Sequence, residues 1–269
     1  MSLSRLLDAQ RGPDRLVLVR HGESVGNLAD ADARTRGADR LDLDIRDADV
    51  DLSDNGRQQA GAVRQWLSRA REEDRPSLVV TSPYRRAAET ARTAVRDLDV
   101  ELIVDERLRE RDLGAFDGLT NAGIRAEHPV EADRRKKLGK FYYQPPSGES
   151  WADVVLRVRS FLADLRQGFD GETVWVFSHQ AVIMAFRYVI EGLDEQELLE
   201  IDRSQRLGNA SMTRYRRGAS GFELEVFADT EAVDAAEAEA THEDPQAGRG
   251  DEHHGLGADS GGKRADGAA

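Results

Sequence analysis

Short apolar runs alternate along the chain with segments in which apolar residues recur every three or four positions. Continuous apolar runs are typical of buried parallel strands, and they occur at residues 16–19, 78–80, 100–104 and 173–177. Amphipathic patterns predict helices at residues 52–70, 84–97, 150–166 and 181–191. Two further strands, at 212–216 and 222–227, are expected to close the sheet. Strands that alternate with helices predict a doubly wound α/β fold, with a mostly parallel sheet and helices on both faces.

The composition changes near residue 228. Alanine, aspartate, glutamate and glycine dominate residues 229–269, which contain no aromatic residue. Such a segment buries too little apolar surface to offset the entropy of ordering. We therefore predict a flexible N-terminus at 1–14, one folded domain at 15–227 and a disordered acidic tail at 228–269. Deletion of the chain after about residue 230 is expected to leave activity nearly intact, since the tail lies outside the folded domain.

Composition and charge exclude several classes of function. The 269 residues include no cysteine, so disulfide frameworks, thiolate metal sites and cysteine nucleophiles are excluded. A formal net charge of −13 argues against nucleic acid as a partner. No apolar run is long enough to span a membrane, and the first residues lack the apolar core of a signal peptide. A cytoplasmic location is therefore expected, and a homodimer is left open.

Polar residues directly follow three of the predicted strands. The first strand runs into Arg20-His21-Gly22-Glu23-Ser24, and the fourth runs into Ser178-His179. The second is followed by residues 81–86, which include Ser82 and Arg86. In open α/β sheets, ligands bind beyond the carboxyl ends of the strands. The side chains of these segments are therefore expected to meet at one edge of the sheet.

Histidine and arginine together suit the transfer of a phosphoryl group to nitrogen. A neutral imidazole can attack phosphorus, and guanidinium groups match the oxygens of phosphate. A metal site built from His21, His179 and neighbouring carboxylates is the other reading. Arg20 disfavours it because a guanidinium next to a divalent cation is repulsive. We therefore expect no metal.

Residues 22–26 also match the G-x-S-x-G pattern of serine hydrolases, which would make Ser24 a nucleophile. Only about 20 residues precede this pattern. The hydrolase fold needs earlier strands and an oxyanion loop before its nucleophile. An esterase that uses Ser24 is therefore the less favoured interpretation, and Ser24 could instead cap the following helix.

Residues 16–24, LVLVRHGES, resemble the signature of the histidine phosphatase superfamily, which includes cofactor-dependent phosphoglycerate mutases. Four later segments resemble other motifs of that family in the same order: residues 52–60, 81–91, 108–114 and 177–179. Asn209-Ala210-Ser211 resembles its closing strand motif. Residues 140–150 are similar to those of a plant and bacterial subgroup of phosphoglycerate-mutase-like proteins.

The resemblance implies a role for each matching residue. His21 would be the nucleophile that becomes a phosphohistidine, and Glu110 would be the general acid that protonates the leaving alkoxide. The residues that would contact the phosphoryl group are Arg20, Ser24, Asn27, Arg86 and His179. Gln180 stands where many members have glycine, so it would place a side chain at the edge of the pocket.

The implied function is a phosphatase that hydrolyses phosphomonoesters of small metabolites without a metal or a cofactor. A cofactor-dependent phosphoglycerate mutase is the nearest alternative, but no insertion that would shield a phosphohistidine from water is recognisable. The alternatives from other classes are the Ser24 esterase and a non-catalytic module that binds a phosphorylated ligand.

Overall fold

The computed structural model describes residues 12–236 and 238–242. Its sheet has six strands in the order β3-β2-β4-β1-β5-β6. The strands are β1 Arg15–Arg20, β2 Leu78–Thr81, β3 Glu101–Val104, β4 Thr173–Ser178, β5 Met212–Gly218 and β6 Gly221–Asp229. The pairs β1–β4, β2–β4 and β2–β3 are parallel, and β5 is antiparallel to both β1 and β6. The mostly parallel sheet is thus confirmed.

Helices cover both faces of the sheet. They are α1 Val25–Arg36, α2 Asp54–Arg69, α3 Arg85–Ala94, α4 Asn121–Glu127, α5 Pro129–Leu138, α6 Trp151–Gly168, α7 Gln180–Arg187, α8 Glu195–Ser204 and α9 Glu231–Ala235. Alternate residues of β1 enter two separate cores, because successive side chains of a strand point to opposite faces. The core on one face includes α6 and α7, and the other includes α2, α3 and α9.

The sequence pattern missed α1, α4, α5 and α8. In α1 the one buried residue is Ala33, and α5 buries none of its residues. A helix without an apolar face leaves no periodic signal, so the pattern could not show these two. The predicted end of the helix at 181–191 also differs, because α7 passes into a π-helical turn at Tyr188–Gly192.

The chain is ordered beyond residue 227, so the predicted disordered tail at 228–269 is wrong for residues 228–236 and 238–242. β6 ends at Asp229, and α9 follows directly. Val233 of α9 is fully buried in the same core as Val63 and Leu67 of α2. Two apolar residues of α9, Ala232 and Val233, are buried and hold this segment on the domain. The composition of the whole tail gives no indication of this contact. Residues 243–269 lie outside the described residues.

The predicted flexible N-terminus is wrong for residues 12–14. Gly12 and Pro13 are buried. The backbone N–H of Gly12 donates to Asp170 Oδ1, and that of Asp14 donates to the carbonyl of Glu172. Residues 1–11 lie outside the described residues. Among the residues that the structure describes, no helix combines the length and hydropathy needed to cross a bilayer.

Candidate active site

The predicted convergence at the carboxyl edge of the sheet is confirmed. Arg20 lies opposite Ser178 in the parallel pairing of β1 with β4, so His21 and His179 leave their strands side by side. Their ring centroids are 5.1 Å apart. Arg86, which follows β2, donates from Nε to His21 Nε2 at 3.3 Å. Two histidines and an arginine from three separate strand ends therefore form one buried cluster.

The surroundings of His21 fix which ring nitrogen can attack. Nδ1 lies 2.7 Å from the carbonyl oxygen of Gly22, which can only accept, so Nδ1 carries the proton. Nε2 then holds the lone pair, in agreement with the bond that it accepts from Arg86. Burial, with the charges of Arg86 and Arg20, lowers the pKa of His21 well below its ordinary value. The imidazole is therefore neutral near pH 7, as a nucleophile must be.

His179 is fully buried and has one ring nitrogen engaged with the protein. Nε2 lies 2.8 Å from Ser82 Oγ. Nδ1 has no hydrogen-bond partner among the described residues. Burial, with the charge of Arg86, lowers the pKa of His179 as well. When the Ser82 hydroxyl donates to Nε2, Nδ1 carries a proton that a phosphoryl oxygen could accept.

Arg20 and Arg86 are almost completely buried. Arg20 Nη1 donates to the carbonyl of Leu207 at 2.5 Å, which fixes the guanidinium beside β5. Arg86 Nη1 donates to the backbone carbonyl of Asp47 at 2.6 Å and lies 2.9 Å from Asp47 Oδ1. A carboxylate thus contacts the arginine that the family resemblance assigns to phosphate. The sequence analysis missed Asp47, which stands in an acidic stretch with no distinguishing motif.

Glu110 follows a 3₁₀ turn at Glu106–Leu108 and is half-buried. Its Oε1 accepts from the backbone N–H of Arg111 at 2.7 Å. Its backbone carbonyl accepts from Arg157 Nη2 at 3.3 Å, which ties the loop to α6. Burial raises the pKa of Tyr84 to about 12, and the carboxylate of Glu110 contributes to the rise. The Tyr84 ring lies 5.2 Å from that of His179. The acid role that the family resemblance implies for Glu110 stays a prediction.

Ser24 is the N-cap of α1. Its hydroxyl accepts from the backbone N–H of Asn27 at 3.1 Å, and Asn27 Oδ1 accepts from the backbone N–H of Ser24 at 3.0 Å. In the described part of the chain, neither His21 nor His179 is a hydrogen-bond partner of Ser24. A serine nucleophile needs a base within hydrogen-bond reach. The arrangement therefore supports the cap and not the esterase.

Gln180 is the first residue of α7, and its side chain contacts α8. Its Nε2 donates to Asp202 Oδ1 at 3.2 Å, and Asp202 also pairs with Lys140 Nζ at 2.7 Å. The side chain that replaces the more common glycine is thus held by an acid on α8. Gln180, which directly follows His179, is therefore connected through Asp202 to Lys140.

Lys140 and Arg111 both lie over the ring of Trp151, at 5.5 and 5.9 Å from its centroid. Trp151 is buried, and its Nε1 has no hydrogen-bond partner among the described residues. The Arg111 side chain makes no ion pair within that part of the chain. Burial and the charge of Arg135 lower the pKa of Arg111 to about 10. We call Arg111, Lys140 and Trp151 the basic wall; the sequence analysis missed it because its members are far apart in the chain.

The comparison with known families gives one match that covers most of the chain. The model of the histidine phosphatase superfamily (branch 1) matches residues 16–230. The described residues 231–236 and 238–242 lie outside that match, and they include α9, which packs against α2, and Glu239, whose carbonyl accepts from Gln59.

Relatives with assigned names include two bacterial proteins. A bifunctional protein of Mycobacterium tuberculosis is 37% identical over 171 residues, which are 64% of this chain and 42% of that protein. Phosphoserine phosphatase 1 of Hydrogenobacter thermophilus is 30% identical over 181 residues, 67% of this chain and 77% of that protein. The chain thus spans less than half the length of the bifunctional relative.

A solved structure shares the fold along nearly its whole length. The mycobacterial glucosyl-3-phosphoglycerate phosphatase, in complex with inorganic phosphate, superposes with a TM-score of 0.63 and 28% identity. The match covers 81% of this chain and 99% of that one.

Proposed function

The chain belongs to the histidine phosphatase superfamily, and from this premise we propose that it is a phosphomonoesterase that works through a phosphohistidine at His21. The observation that carries the proposal is the state of the His21 ring. The carbonyl of Gly22 holds the proton on Nδ1, so Nε2 keeps a lone pair, which accepts from Arg86, and the charges of the buried Arg86 and Arg20 act on the ring.

In the first step, Arg20, Arg86 and His179 bind the phosphoryl oxygens. Nε2 of His21 attacks phosphorus, and the bond from phosphorus to the ester oxygen breaks. Glu110 gives its proton to the leaving alkoxide, so a neutral alcohol departs. The charge that spreads over the equatorial oxygens is stabilised by the guanidinium groups. The chain's own cations thus provide the charge that a metal provides in other phosphatases.

In the second step, the carboxylate of Glu110 takes a proton from a water molecule, and the water oxygen attacks phosphorus. The bond from phosphorus to Nε2 breaks, inorganic phosphate leaves, and the lone pair returns to His21. Glu110 is protonated again for the next cycle. The same residue therefore acts as acid and then as base.

The basic wall supports a substrate with a second anionic group. Arg111 supplies a positive charge that makes no ion pair in the described residues, the charge of Lys140 is shared with Asp202, and Trp151 Nε1 is a buried donor without a partner there. In a chain with a net charge of −13, such local cations are needed to attract an anion. The two related phosphatases are named for phosphoserine and glucosyl-3-phosphoglycerate, and both compounds carry a carboxylate. We propose a small phosphorylated carboxylic acid as the substrate class.

The activity is tested by hydrolysis of p-nitrophenyl phosphate and p-nitrophenyl acetate in excess EDTA. Wild type, His21→Ala and Ser24→Ala are compared. We expect phosphatase activity that survives EDTA and falls at least a thousandfold in His21→Ala, since the covalent step is lost. Esterase activity that disappears in Ser24→Ala would overturn the proposal in favour of a serine hydrolase.

The substrate class is tested with glycerol 1-phosphate and 3-phosphoglycerate, which differ in one carboxylate. We expect Arg111→Gln to lower the kcat/KM ratio of the second to the first by about 10- to 100-fold, the effect of one lost charge-assisted hydrogen bond. Arg69→Gln, an exposed arginine at the far end of α2, is the control and leaves the ratio unchanged. An unchanged ratio in Arg111→Gln would refute the proposal that Arg111 binds a second anionic group of the substrate. Conversion of 3-phosphoglycerate to 2-phosphoglycerate without release of phosphate would identify the mutase instead.

Three expectations from composition remain predictions: a cytoplasmic location, the absence of a nucleic-acid partner and independence from metal. Within residues 12–236 and 238–242, no three side chains of histidine, aspartate or glutamate are grouped as metal ligands. The EDTA arm of the assay tests metal independence directly.

A further inference from the structure

Residues 238–242, which we call the strap, run along the back of the nucleophile loop at residues 21–24. The backbone carbonyl of Glu239 accepts from Gln59 Nε2 at 2.7 Å. Farther along, the backbone carbonyl of Thr241 accepts from the backbone N–H of Asn209 at 2.8 Å. His242 then forms an antiparallel bridge with Gly208. The strap is thus bonded both to α2 and to the loop that precedes β5.

Two buried amide side chains connect the strap to the backbone of the nucleophile loop. Gln59 Oε1 accepts from the backbone N–H of Glu23 at 2.8 Å. Asn209 Nδ2 donates to the backbone carbonyl of His21 at 3.2 Å. Both amides are almost completely inaccessible to solvent. They therefore hold the loop on both sides of Gly22, one through an acceptor and one through a donor.

The hydroxyl of Thr241 lies between these two amides. Thr241 Oγ1 accepts from Gln59 Nε2 at 3.0 Å and donates to Asn209 Oδ1 at 3.2 Å. A hydroxyl can do both at once, whereas a methyl group can do neither. Its two bonds fix the orientation in which Gln59 presents oxygen to Glu23 and Asn209 presents nitrogen to His21. A buried amide that loses a hydrogen-bond partner either destabilises the fold or reorients to find another partner.

The nucleophile loop has no room to shift without α2. A Cβ on Gly22 would lie 2.5 Å from the carbonyl oxygen of Gly56, and a Cβ on Gly56 would lie 1.9 Å from that of Glu23. The two backbones are therefore in direct contact, and Gln59 belongs to the same helix as Gly56. A displacement of the amide at Gln59 is transmitted to the loop as a displacement of its backbone. Since Gly22 supplies the carbonyl that holds His21 Nδ1, the ring orientation depends on this contact.

We propose that Thr241 is a positioning residue for His21, and that the strap completes the active site from outside residues 16–230, the part of the chain that the family model matches. The proposal rests on the proposed function in that it assigns His21 the role of nucleophile. Thr241 contacts neither the phosphoryl group nor His21 itself. It acts through Gln59 and Asn209 on the loop that presents the attacking nitrogen.

The test is Thr241→Val in the full chain, which keeps the shape of the side chain and removes the hydroxyl. Thr241→Val removes two neutral hydrogen bonds, and we expect kcat for p-nitrophenyl phosphate to fall about fivefold to tenfold, the value of one of them, and KM to change less. Thr241→Ser restores the hydroxyl and should recover wild-type kcat. Thr230→Val is the matched control, since the Thr230 hydroxyl bonds to Asp234 on the surface. Melting temperatures of all four proteins, with assays well below them, exclude loss by unfolding.

Hydrogen exchange provides a readout that does not depend on activity. In Thr241→Val, we expect the peptide that covers residues 20–24 to exchange about fivefold faster, while the peptide that covers β3 keeps its rate. If the wild type is inactive and exchange is faster in Thr241→Val, the proposed phosphatase activity is refuted, while the proposal that the strap supports the loop stands. A wild type that hydrolyses the ester, with unchanged kcat and exchange in Thr241→Val, would overturn the positioning role and leave the phosphatase.

Discussion

Asp47 contacts the guanidinium of Arg86, and we predict that this carboxylate competes with a phosphoryl group for it. The guanidinium is nearly buried, and its Nη1 lies 2.9 Å from Asp47 Oδ1 while Nη2 donates to Oδ2 at 3.2 Å. These two nitrogens have the fork geometry that also matches phosphate. A phosphoryl group that binds Arg86 through them must displace the carboxylate. Asp47→Asn should therefore strengthen phosphate binding, because the amide carries no charge while the backbone carbonyl still holds Nη1.

The size of the effect follows from the distance and the exposure of the pair. Two unit charges about 4 Å apart interact with about 4 kcal/mol at an effective dielectric constant near 20. The Asp47 side chain is 40% exposed, so solvent screening and ordering entropy reduce the net value. We use about 1.4 kcal/mol, which corresponds to a factor of about ten in an equilibrium constant. Loss of the negative charge near a dianion acts in the same direction.

The assay is competitive inhibition by inorganic phosphate, with p-nitrophenyl phosphate as the substrate. We expect an inhibition constant about tenfold lower in Asp47→Asn than in wild type, with a smaller difference in 1 M salt. Asp49→Asn is the control: Asp49 lies two residues away and pairs with Arg46 at the surface. An equal gain in both variants would show a general effect of charge. A higher inhibition constant in Asp47→Asn would mean that Asp47 positions Arg86 for the ligand, and the competition would be refuted.

Glu110→Gln should slow the transfer of the phosphoryl group from an alkyl phosphate to His21 by about 10²- to 10³-fold but slow that from p-nitrophenyl phosphate far less, because p-nitrophenolate leaves without a proton. Single-turnover rates on both esters decide this, since the second step, in which Glu110 acts as the base, is common to both. Ser24→Ala should cost about 1 kcal/mol of unfolding free energy in urea titrations while kcat falls less than tenfold, as expected of a helix cap and not of a nucleophile. Burial lowers the pKa of His21 and of His179, so both stay neutral in the fold and take up protons on unfolding below pH 6.5. The free energy of unfolding, measured by urea titration, should therefore fall as the pH is lowered from 6.5 to 5.5, by up to about 1.4 kcal/mol per histidine and pH unit. His179→Ala should make the free energy of unfolding depend less on pH. Because α9 and the strap bond to the domain, we replace the expectation from composition that deletion after about residue 230 is harmless. Ending the chain after residue 230 should reduce kcat at least as much as Thr241→Val, whereas ending it after residue 242 should not.

The convergence of the candidate site residues could be predicted because it follows from local signals and one rule of topology. Continuous apolar runs mark buried parallel strands, and residues at their carboxyl ends meet at one edge. That reasoning brings His21, Arg86 and His179 together, and the structure places them in contact. The family resemblance added Glu110, whose distance from the nucleophile no strand pattern could give.

The contacts that tune the site could not be predicted in the same way. Asp47 reaches Arg86 from a 3₁₀ turn within an acidic stretch, and Arg111 meets Trp151 across 40 positions of sequence. Each pair depends on how a loop is folded over the sheet, and loop conformation leaves no periodic pattern. Their charges were visible in the sequence, but charge alone does not distinguish a solvated surface from the wall of a cleft.

The strap shows why composition placed the start of the predicted disordered tail too early in the chain. Composition measures how much apolar surface a segment can bury on its own, and residues 238–242 bury little. They are held instead by polar groups that the folded domain already presents. Gln59 and Asn209 are inaccessible, so each needs partners for both ends of its amide. Thr241 supplies an acceptor to one and a donor to the other. A low-complexity segment can thus be held in place by hydrogen bonds to buried polar side chains that would otherwise lack partners. Its order is therefore predicted from those buried side chains and not from its own composition.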